Sequence, residues 1–218
     1  MSNKTDAFIS KMAPIAREQA KKHNWKIYPS VCIAQAAKES GWGTASKMVK
    51  ANALYGIKVG KSAYHFGKAW KDKAYKTGTT EIYNGNAQKI QDWFRAYDNV
   101  SDATEDYFDM LCTASRYKKA INAADYKACI RAIAPSYATA ESLNHSYSNS
   151  VISIIEKYNL TKYDAKDDAP KENKSIDAIA KEVIAGKWGN GVTRKQMLRA
   201  AGFNPAIVQA RVNEMLKG

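Results

Sequence analysis

One carboxylate stands out by its surroundings. Residues 34–43 read Ala-Gln-Ala-Ala-Lys-Glu-Ser-Gly-Trp-Gly, which puts Glu39 on the last turn of a largely apolar helix. A carboxyl group on such a face loses hydration; this disfavours its ionised form and raises its pKa toward the range in which it can protonate a leaving group. Local chemistry sets the element that carries it. Pro29 is preorganised for a first helical turn and Gly41 accepts the left-handed conformation of a helix end, so a helix is expected over 29–40 with Glu39 on the face of Cys32, Gln35 and Ala36. Trp42 follows directly and offers an aromatic wall of the kind that lines sugar subsites. The same few residues serve equally well as a solvated glutamate near a helix end beside a core tryptophan.

The elements around this helix follow from pattern. Residues 6–24 form a helical stretch that Pro14 is expected to break or kink, because proline removes a hydrogen bond and clashes with the preceding turn. A short helix is expected over 44–50. From 63 to 97 the pattern changes to Lys, Tyr, Thr, Ile and Trp with Gly78 and a two-residue Asn84-Gly85 hairpin signal, which indicates a small β-lobe. Helices resume at 101–112, 116–122, 125–134 and 144–158, the last with Val151, Ile154 and Ile155 on one face. Asp102, Glu105, Asp106 and Asp109 sit where a helix dipole favours acids and are read as a solvated face. Residues 161–174 are polar, charge-mixed and nearly free of large apolar groups, as in an exposed linker. Beyond them Ile176, Ile179, Ala180, Val183 and Ile184 fall at helical spacing. Thr193 with Gln196 makes a capping box for a second helix closed by Gly202, and Asn204-Pro205 opens a third containing Val208, Val212, Met215 and Leu216. The fold class is therefore mainly α (α+β): a helical domain with a small β-hairpin lobe over 1–160, a linker over 161–174, and a three-helix module over 175–218.

Composition narrows the partners. The chain has 218 residues, 45% of them hydrophobic, and a net charge of +13. Most of that excess lies in residues 1–160, with 23 basic against 14 acidic side chains. Such a charge favours polyanions. No basic block or nucleic-acid motif accompanies it, so no nucleic acid partner is expected, and the anionic bacterial wall is the fitting alternative. Cys32, Cys112 and Cys129 are odd in number and widely spaced, without a Cys-x-x-Cys pair or histidine cluster. Neither a disulfide framework nor a metal site is expected from them, and no cofactor is implied. The opening Met1-Ser-Asn-Lys-Thr-Asp-Ala-Phe holds no apolar stretch fit for a signal peptide, and no later run would insert in a bilayer. The expectation is synthesis in a host cytoplasm.

Four further segments match one family in order. Asn52-Ala-Leu-Tyr-Gly-Ile-Lys58 resembles the Asn-Leu-Phe-Gly-Ile-Lys signature that follows the catalytic glutamate in the flagellar-type and autolysin-type N-acetylglucosaminidases of glycoside hydrolase family 73. Thr79-Thr-Glu-Ile-Tyr83 resembles that family's Thr-x-Glu-Tyr strand, Phe94-Arg-Ala-Tyr97 its Phe-Arg-x-Tyr, and Ser136-Tyr-Ala-Thr139 its Gly-Tyr-Ala-Thr. The resemblance covers residues from about 7 to 160. A second one covers Lys181–Gly191, Arg194–Phe203 and Val208–Glu214, which are similar to the CW_7 cell-wall-binding repeat of some phage endolysins. This chain departs from the family pattern at Ala53, at Ser136 and at Ala140-Glu141-Ser142, which stands where Asp-Pro is usual and leaves the loop beyond Tyr137 open.

The resemblance implies a lysozyme-like fold and a peptidoglycan hydrolase acting between N-acetylglucosamine and N-acetylmuramic acid. Glycoside hydrolysis needs a proton for the leaving oxygen and stabilisation of an oxocarbenium-like centre, usually from two carboxyl groups. Glu39 is the expected general acid and Glu81, at the motif position, the second carboxylate. Tyr137 is expected near the scissile sugar, orienting the 2-acetamido group or positioning water. Trp42, Asn52, Tyr55, Trp70 and Tyr97 are the expected substrate-binding residues, with Asn52 holding the turn beneath the groove. Trp188, Asn190, Arg194 and Arg211 are the expected cell-wall contacts to a muropeptide. The combination fits phage-mediated host lysis, with release through a holin pore. A lysozyme-like muramidase or lytic transglycosylase shares the Glu-Ser-Gly-Trp-Gly helix end and stays open, as does a non-catalytic wall-binding protein.

Overall fold

Proline and glycine punctuate the chain much as the sequence implies, with one exception. In the computed structural model, which describes residues 3–45, 49–83, 85–166, 175–200 and 203–216, helix α1 (Asn3–Lys22) runs through Pro14 without a break. Pro14 and Ser10, whose carbonyl loses its helical donor, both lie on the exposed side, where solvent can take the place of that donor. Helix α2 (Pro29–Ser40) starts at its proline and ends at Gly41, whose φ of 57° and ψ of 48° let its N–H reach the Ala37 carbonyl. The helix expected over 44–50 includes residues 46–48, which lie outside the described residues.

The β-lobe is a single hairpin. Strands β1 (Ala74–Tyr83) and β2 (Asn86–Arg95) pair antiparallel from Ala74↔Arg95 to Tyr83↔Asn86. Gly85, at φ 77°, supplies the positive φ that a two-residue turn demands. The segment Ile57–Val59 runs along β2, with Val59 N–H donating to Trp93 O and Arg95 N–H to Ile57 O. Helix α3 (Val100–Thr113), a 3-10 turn (Ser115–Ala120), helix α4 (Tyr126–Tyr137), a second 3-10 turn (Thr139–Ser142), helix α5 (Ser146–Lys157) and a third turn (Leu160–Tyr163) complete this unit. Asn99 and Asp125 cap α3 and α4 by accepting from Asp102 N–H and Ala128 N–H.

The core gathers around α2. Val31, Cys32, Ile33, Ala34, Ala36 and Ala37 have no exposed surface and meet Met12 and Ala16 of α1, Tyr107 and Leu111 of α3, Ile130 and Ile133 of α4, and Val151 and Ile155 of α5. A helix buried on every side is an anchored platform, so the carboxylate near its end has little freedom. One of the acids read as a solvated face belongs to this interior. Asp106 is wholly buried, accepts both oxygens' worth of contact from Arg95 Nη1 at 3.0 and 2.9 Å, and takes the Tyr97 hydroxyl at 2.6 Å. Arg95 itself stacks between Phe66 and Trp70, so the ion pair locks the 57–70 loop and the hairpin base onto α3.

The chain divides into two compact units, Met1–Lys166 and Asp167–Gly218. The stretch expected as linker from 161 begins docked on the first unit. Asp164 accepts from the Ser30 backbone N–H at 2.7 Å and the Ser30 hydroxyl at 2.6 Å, and Arg17 donates to the carbonyls of Tyr163 and Ala165. Tyr28, the N-cap of α2, makes no side-chain cap bond, its hydroxyl donating to the Ala123 carbonyl, and Asp164 takes over that task from the far end of the unit. In the second unit, helices α6 (Ile176–Ile184), α7 (Gly191–Ala200) and α8 (Pro205–Met215) bury Ile179, Ala180, Val183, Leu198, Val208 and Val212 together. Asn204 caps α8 through the Ala206 N–H. Helix α7 begins two residues before Thr193, so Thr193 stands inside its first turn and not at its N-cap, while the Gln196 side chain and Gly202 lie outside the described residues. No described helix is long and apolar enough to cross a membrane.

Candidate active site

Glu39 lines a cleft of about 700 Å³ together with β1, from Thr77 to Glu81, and with Tyr55, Tyr137, Thr139 and Tyr147. Burial raises its pKa above the usual carboxylate value; the Tyr147 hydroxyl and Lys38 oppose that rise, and Glu81 adds to it. Glu39 therefore senses the charge of Glu81 across the same cleft. One oxygen of Glu39, Oε1, accepts from Tyr147 Oη at 2.7 Å. Tyr147 in turn accepts from Gln35 Nε2 at 3.0 Å, and Gln35 Oε1 accepts from Tyr107 Oη at 2.6 Å. Gln35 and Tyr107 are fully buried, so these bonds have no competing water, and their donors all point one way, toward Glu39. Among the described residues Oε2 of Glu39 has no partner, which leaves it to carry the proton toward whatever fills the cleft.

Glu81 is held from two sides. Lys58 Nζ lies 2.8 Å from Oε1, and the Thr139 hydroxyl donates to Oε2 at 2.8 Å. Lys58 also pairs with Asp92 at 3.1 Å. Partial burial pulls the Lys58 pKa down, but the hydrogen bonds it donates to Glu81 and Asp92, with their negative charges, outweigh it and raise the value overall. Thr139 accepts from the Ile82 backbone N–H at 2.9 Å as well, so this one hydroxyl latches the hairpin to the loop after α4. That loop is where the chain departs from its family pattern, and Glu141 explains how it is held. Buried at the N-terminus of α5, Glu141 accepts from the Ser148 N–H at 2.9 Å, the Ser148 hydroxyl at 2.8 Å and His145 Nδ1 at 2.8 Å. Burial pushes its pKa up, yet these donors bring it below the usual range. Helix α5 presents Tyr147 to Glu39 from its first turn, so Glu141 fixes the entry of the helix on which the acid's partner rides.

Other expected site residues go elsewhere. Tyr137 does line the cleft, but its hydroxyl donates to the Tyr55 carbonyl and its ring packs near Tyr107 and Tyr147. Tyr55 also lines the cleft, but it is 1% exposed, stacked on Tyr107 at 4.2 Å with its hydroxyl between Cys32 and Thr104, so its ring is committed to the core. Trp42 sits between Phe8 and Tyr158, behind α2 and away from the cleft, because Gly41 and its own φ of 60° turn the chain back on α1. Trp70 and Tyr97 are core residues committed to Arg95 and Asp106. Asn52 donates to the carbonyls of Tyr97 and Asp98 and holds a turn at φ 51°. Among the described residues no three His, Cys, Asp or Glu side chains converge to hold a metal.

In the second unit, Trp188 donates to Glu182 Oε2 and packs edge-on against Phe203. Arg211 is occupied by a bidentate pair with Asp177, at 2.7 and 2.9 Å, and by Glu214 at 2.8 Å. Arg194 spans Gly189 O and Asn190 Oδ1 and lines a cavity of about 570 Å³ between α7 and α8. Of the expected wall contacts, only Arg194 lines this cavity.

Sequence reading missed that Tyr147, Lys58 and Thr139 line the cleft, and that Gln35 and Glu141 support it from behind. The one usable signal was Tyr147, four residues before Val151 on the apolar face of its helix, where a buried hydroxyl must find a partner.

Comparison with known proteins adds an independent line. The family described as mannosyl-glycoprotein endo-beta-N-acetylglucosaminidase matches residues 13–160, and the CW_7 repeat matches residues 177–216. Among curated proteins, the exo-glucosaminidase LytG of Bacillus subtilis is 26% identical over 80% of this chain and 60% of its own length. A probable N-acetylmuramidase of Lactococcus lactis is 33% identical over 79% of this chain and 38% of its own. The chain thus spans less than two thirds of the length of each of these relatives. The catalytic domain of the autolysin Auto from Listeria monocytogenes is 29% identical, with a TM-score of 0.59 over 75% of this chain and 89% of that one.

Proposed function

The chain belongs to the glucosaminidase family, glycoside hydrolase family 73, and we propose that it hydrolyses the glycan of peptidoglycan at the β-1,4 bond between N-acetylglucosamine and N-acetylmuramic acid. The observation that carries this reading is Glu39, a carboxyl group with a raised pKa at the wall of a cleft, one oxygen fixed by Tyr147 and the other without a partner among the described residues. Glu39 donates its proton to the glycosidic oxygen as the bond to the anomeric carbon breaks, and the growing positive charge on the sugar ring is stabilised by Glu81. Water then completes the reaction by one of two routes. Activated by Glu81, it attacks directly and inverts the anomeric configuration; alternatively the substrate's own N-acetyl oxygen attacks first and the configuration is retained. NMR of the first-formed anomer separates the two.

The CW_7 repeat supports wall binding by the second unit; a bacteriolytic role, phage-mediated lysis with holin-dependent release, belongs to the same proposal. A muramidase activity is the second reading, favoured by the relative bearing that name. Mass spectrometry of digested walls decides: N-acetylglucosamine at the new reducing end supports the proposal, and N-acetylmuramic acid replaces it with the second reading. Glu39→Gln should abolish clearing of a wall suspension while the protein still sediments with walls. Full activity in that variant would remove Glu39 from the mechanism.

A further inference from the structure

The cleft does not end at Tyr137. A second chamber of about 640 Å³ shares Gly56, Lys58 and Tyr137 with it and extends to Tyr64, Phe66 and Arg116. Three cations line this chamber, and two of them are neutralised: Lys58 by Glu81 and Asp92, Arg95 by Asp106. Arg116 is different. Among the described residues no carboxylate pairs with it, and its guanidinium lies 4.8 Å from the Tyr117 ring centre and 6.0 Å from that of Phe66. Two aromatic faces hold a planar cation in place without consuming its charge, which preorganises the fork for a planar anion. Tyr64, 61% exposed and set edge-on to Phe66, offers an apolar face at the same mouth.

We infer that this chamber is a subsite for a carboxylate carried on the glycan strand next to the cleaved bond, with Arg116 as its specificity-determining contact and Tyr64 as the platform for the adjoining sugar. The inference rests on the peptidoglycan reading above and names the substrate feature that reading leaves unassigned. A strand lying past Glu39 and Tyr137 runs on into the chamber, and muramic acid is the sugar of that polymer bearing an acidic substituent. The carboxylate comes either from the stem peptide or, on strands stripped of peptide, from the lactyl group itself. Charge-assisted bidentate pairing of this kind is strong and directional, whereas an uncharged amide at the same position would leave the guanidinium half served.

The test compares the full chain with Arg116→Met and Arg116→Lys on three soluble substrates: glycan strands with stem peptides, the same strands stripped by an amidase, and peptide-bearing strands whose carboxyls have been converted to primary amides. The second unit is common to all three proteins, so its contribution cancels in each ratio. Arg116→Met should raise KM about tenfold or more on carboxylate-bearing strands with kcat little changed, as expected for loss of a charged hydrogen-bonded contact, and should leave the amidated strands unaffected. Arg116→Lys should recover part of the loss. A loss confined to peptide-bearing strands identifies the stem peptide, and a loss confined to stripped strands identifies the lactyl group. Equal effects on all three substrates, or none on any, overturn the subsite while the parent enzyme's turnover keeps the hydrolase reading intact. If the parent cleaves none of the three, the hydrolase reading falls and the subsite falls with it.

Discussion

Replacing Tyr147 with phenylalanine tests the hydrogen-bond chain behind the proposed acid. The ring stays and only the hydroxyl is lost, which accepts from Gln35 Nε2 and donates to Glu39 Oε1. Two consequences follow from one atom. Gln35 has no exposed surface, so its amide is left with an unpaired donor, at a cost of about 1–3 kcal/mol. With about 2–4 °C of melting temperature per kcal/mol for a unit of this size, the loss is on the order of 5 °C. Glu39 loses a donor that favoured its ionised form, so its pKa, already raised by burial, rises further. A general acid works protonated, so activity falls as pH rises through that pKa. The descending limb of the kcat profile should therefore move to higher pH in Tyr147→Phe. The assays are thermal melting by circular dichroism and turnover of soluble glycan from pH 4 to 9, in steps of about half a pH unit. A lower melting temperature with an unmoved limb, or a limb shifted to lower pH, would refute the idea that this hydroxyl governs the proton on Glu39.

Three further outcomes follow from the same physics. Because burial raises the Glu39 pKa, folding favours its protonated form; the stability this brings is complete below the unfolded value of about 4.3 and is lost as pH rises through the folded value. Glu39→Gln should accordingly melt above the parent at pH 7 and level with it near pH 4; a parent more stable at both pH values contradicts the burial argument. Arg95→Met strands Asp106 without its cation in a site that has no exposed surface, for a loss of about 3–5 kcal/mol in urea denaturation. Adding Asp106→Leu should recover much of it, and no recovery would point to the aromatic stacking of Arg95 as the greater term. Asp164→Ala removes the cap supplied to α2 from beyond residue 160 and should cost about 1–2 kcal/mol, whereas Asp164→Asn should cost less. An unchanged melting temperature in Asp164→Ala would mean that water serves the start of α2 equally well.

What the sequence determined by itself is local. The ends of α2 at Pro29 and Gly41, the hairpin about Gly85, the start of α8 at Asn204 and the station of Glu39 one turn from a helix end all depend on groups a few residues apart. Capping, positive φ and fixed proline φ act over that range whatever the rest of the chain does. The motifs carried Glu81 to the cleft wall in the same way, since a strand register cannot slip without turning its side chains over. Pro14 shows the limit of even local rules, because whether proline ends a helix depends on whether water can reach the orphaned carbonyl.

Tertiary structure alone decided where the aromatic and charged side chains ended. Trp42, Tyr55, Trp70 and Tyr97 have the chemistry of sugar platforms, yet packing on α1, α3 and Arg95 buries them as core. Asp106 shares its helix face type with solvated acids, and only the arrival of Arg95 from β2 makes it an interior ion pair. Tyr147 reaches Glu39 across 108 residues of sequence and Gln35 across 112. No periodicity encodes such a meeting, because it depends on the angle at which α5 crosses α2 and on the Glu141 cap that sets it.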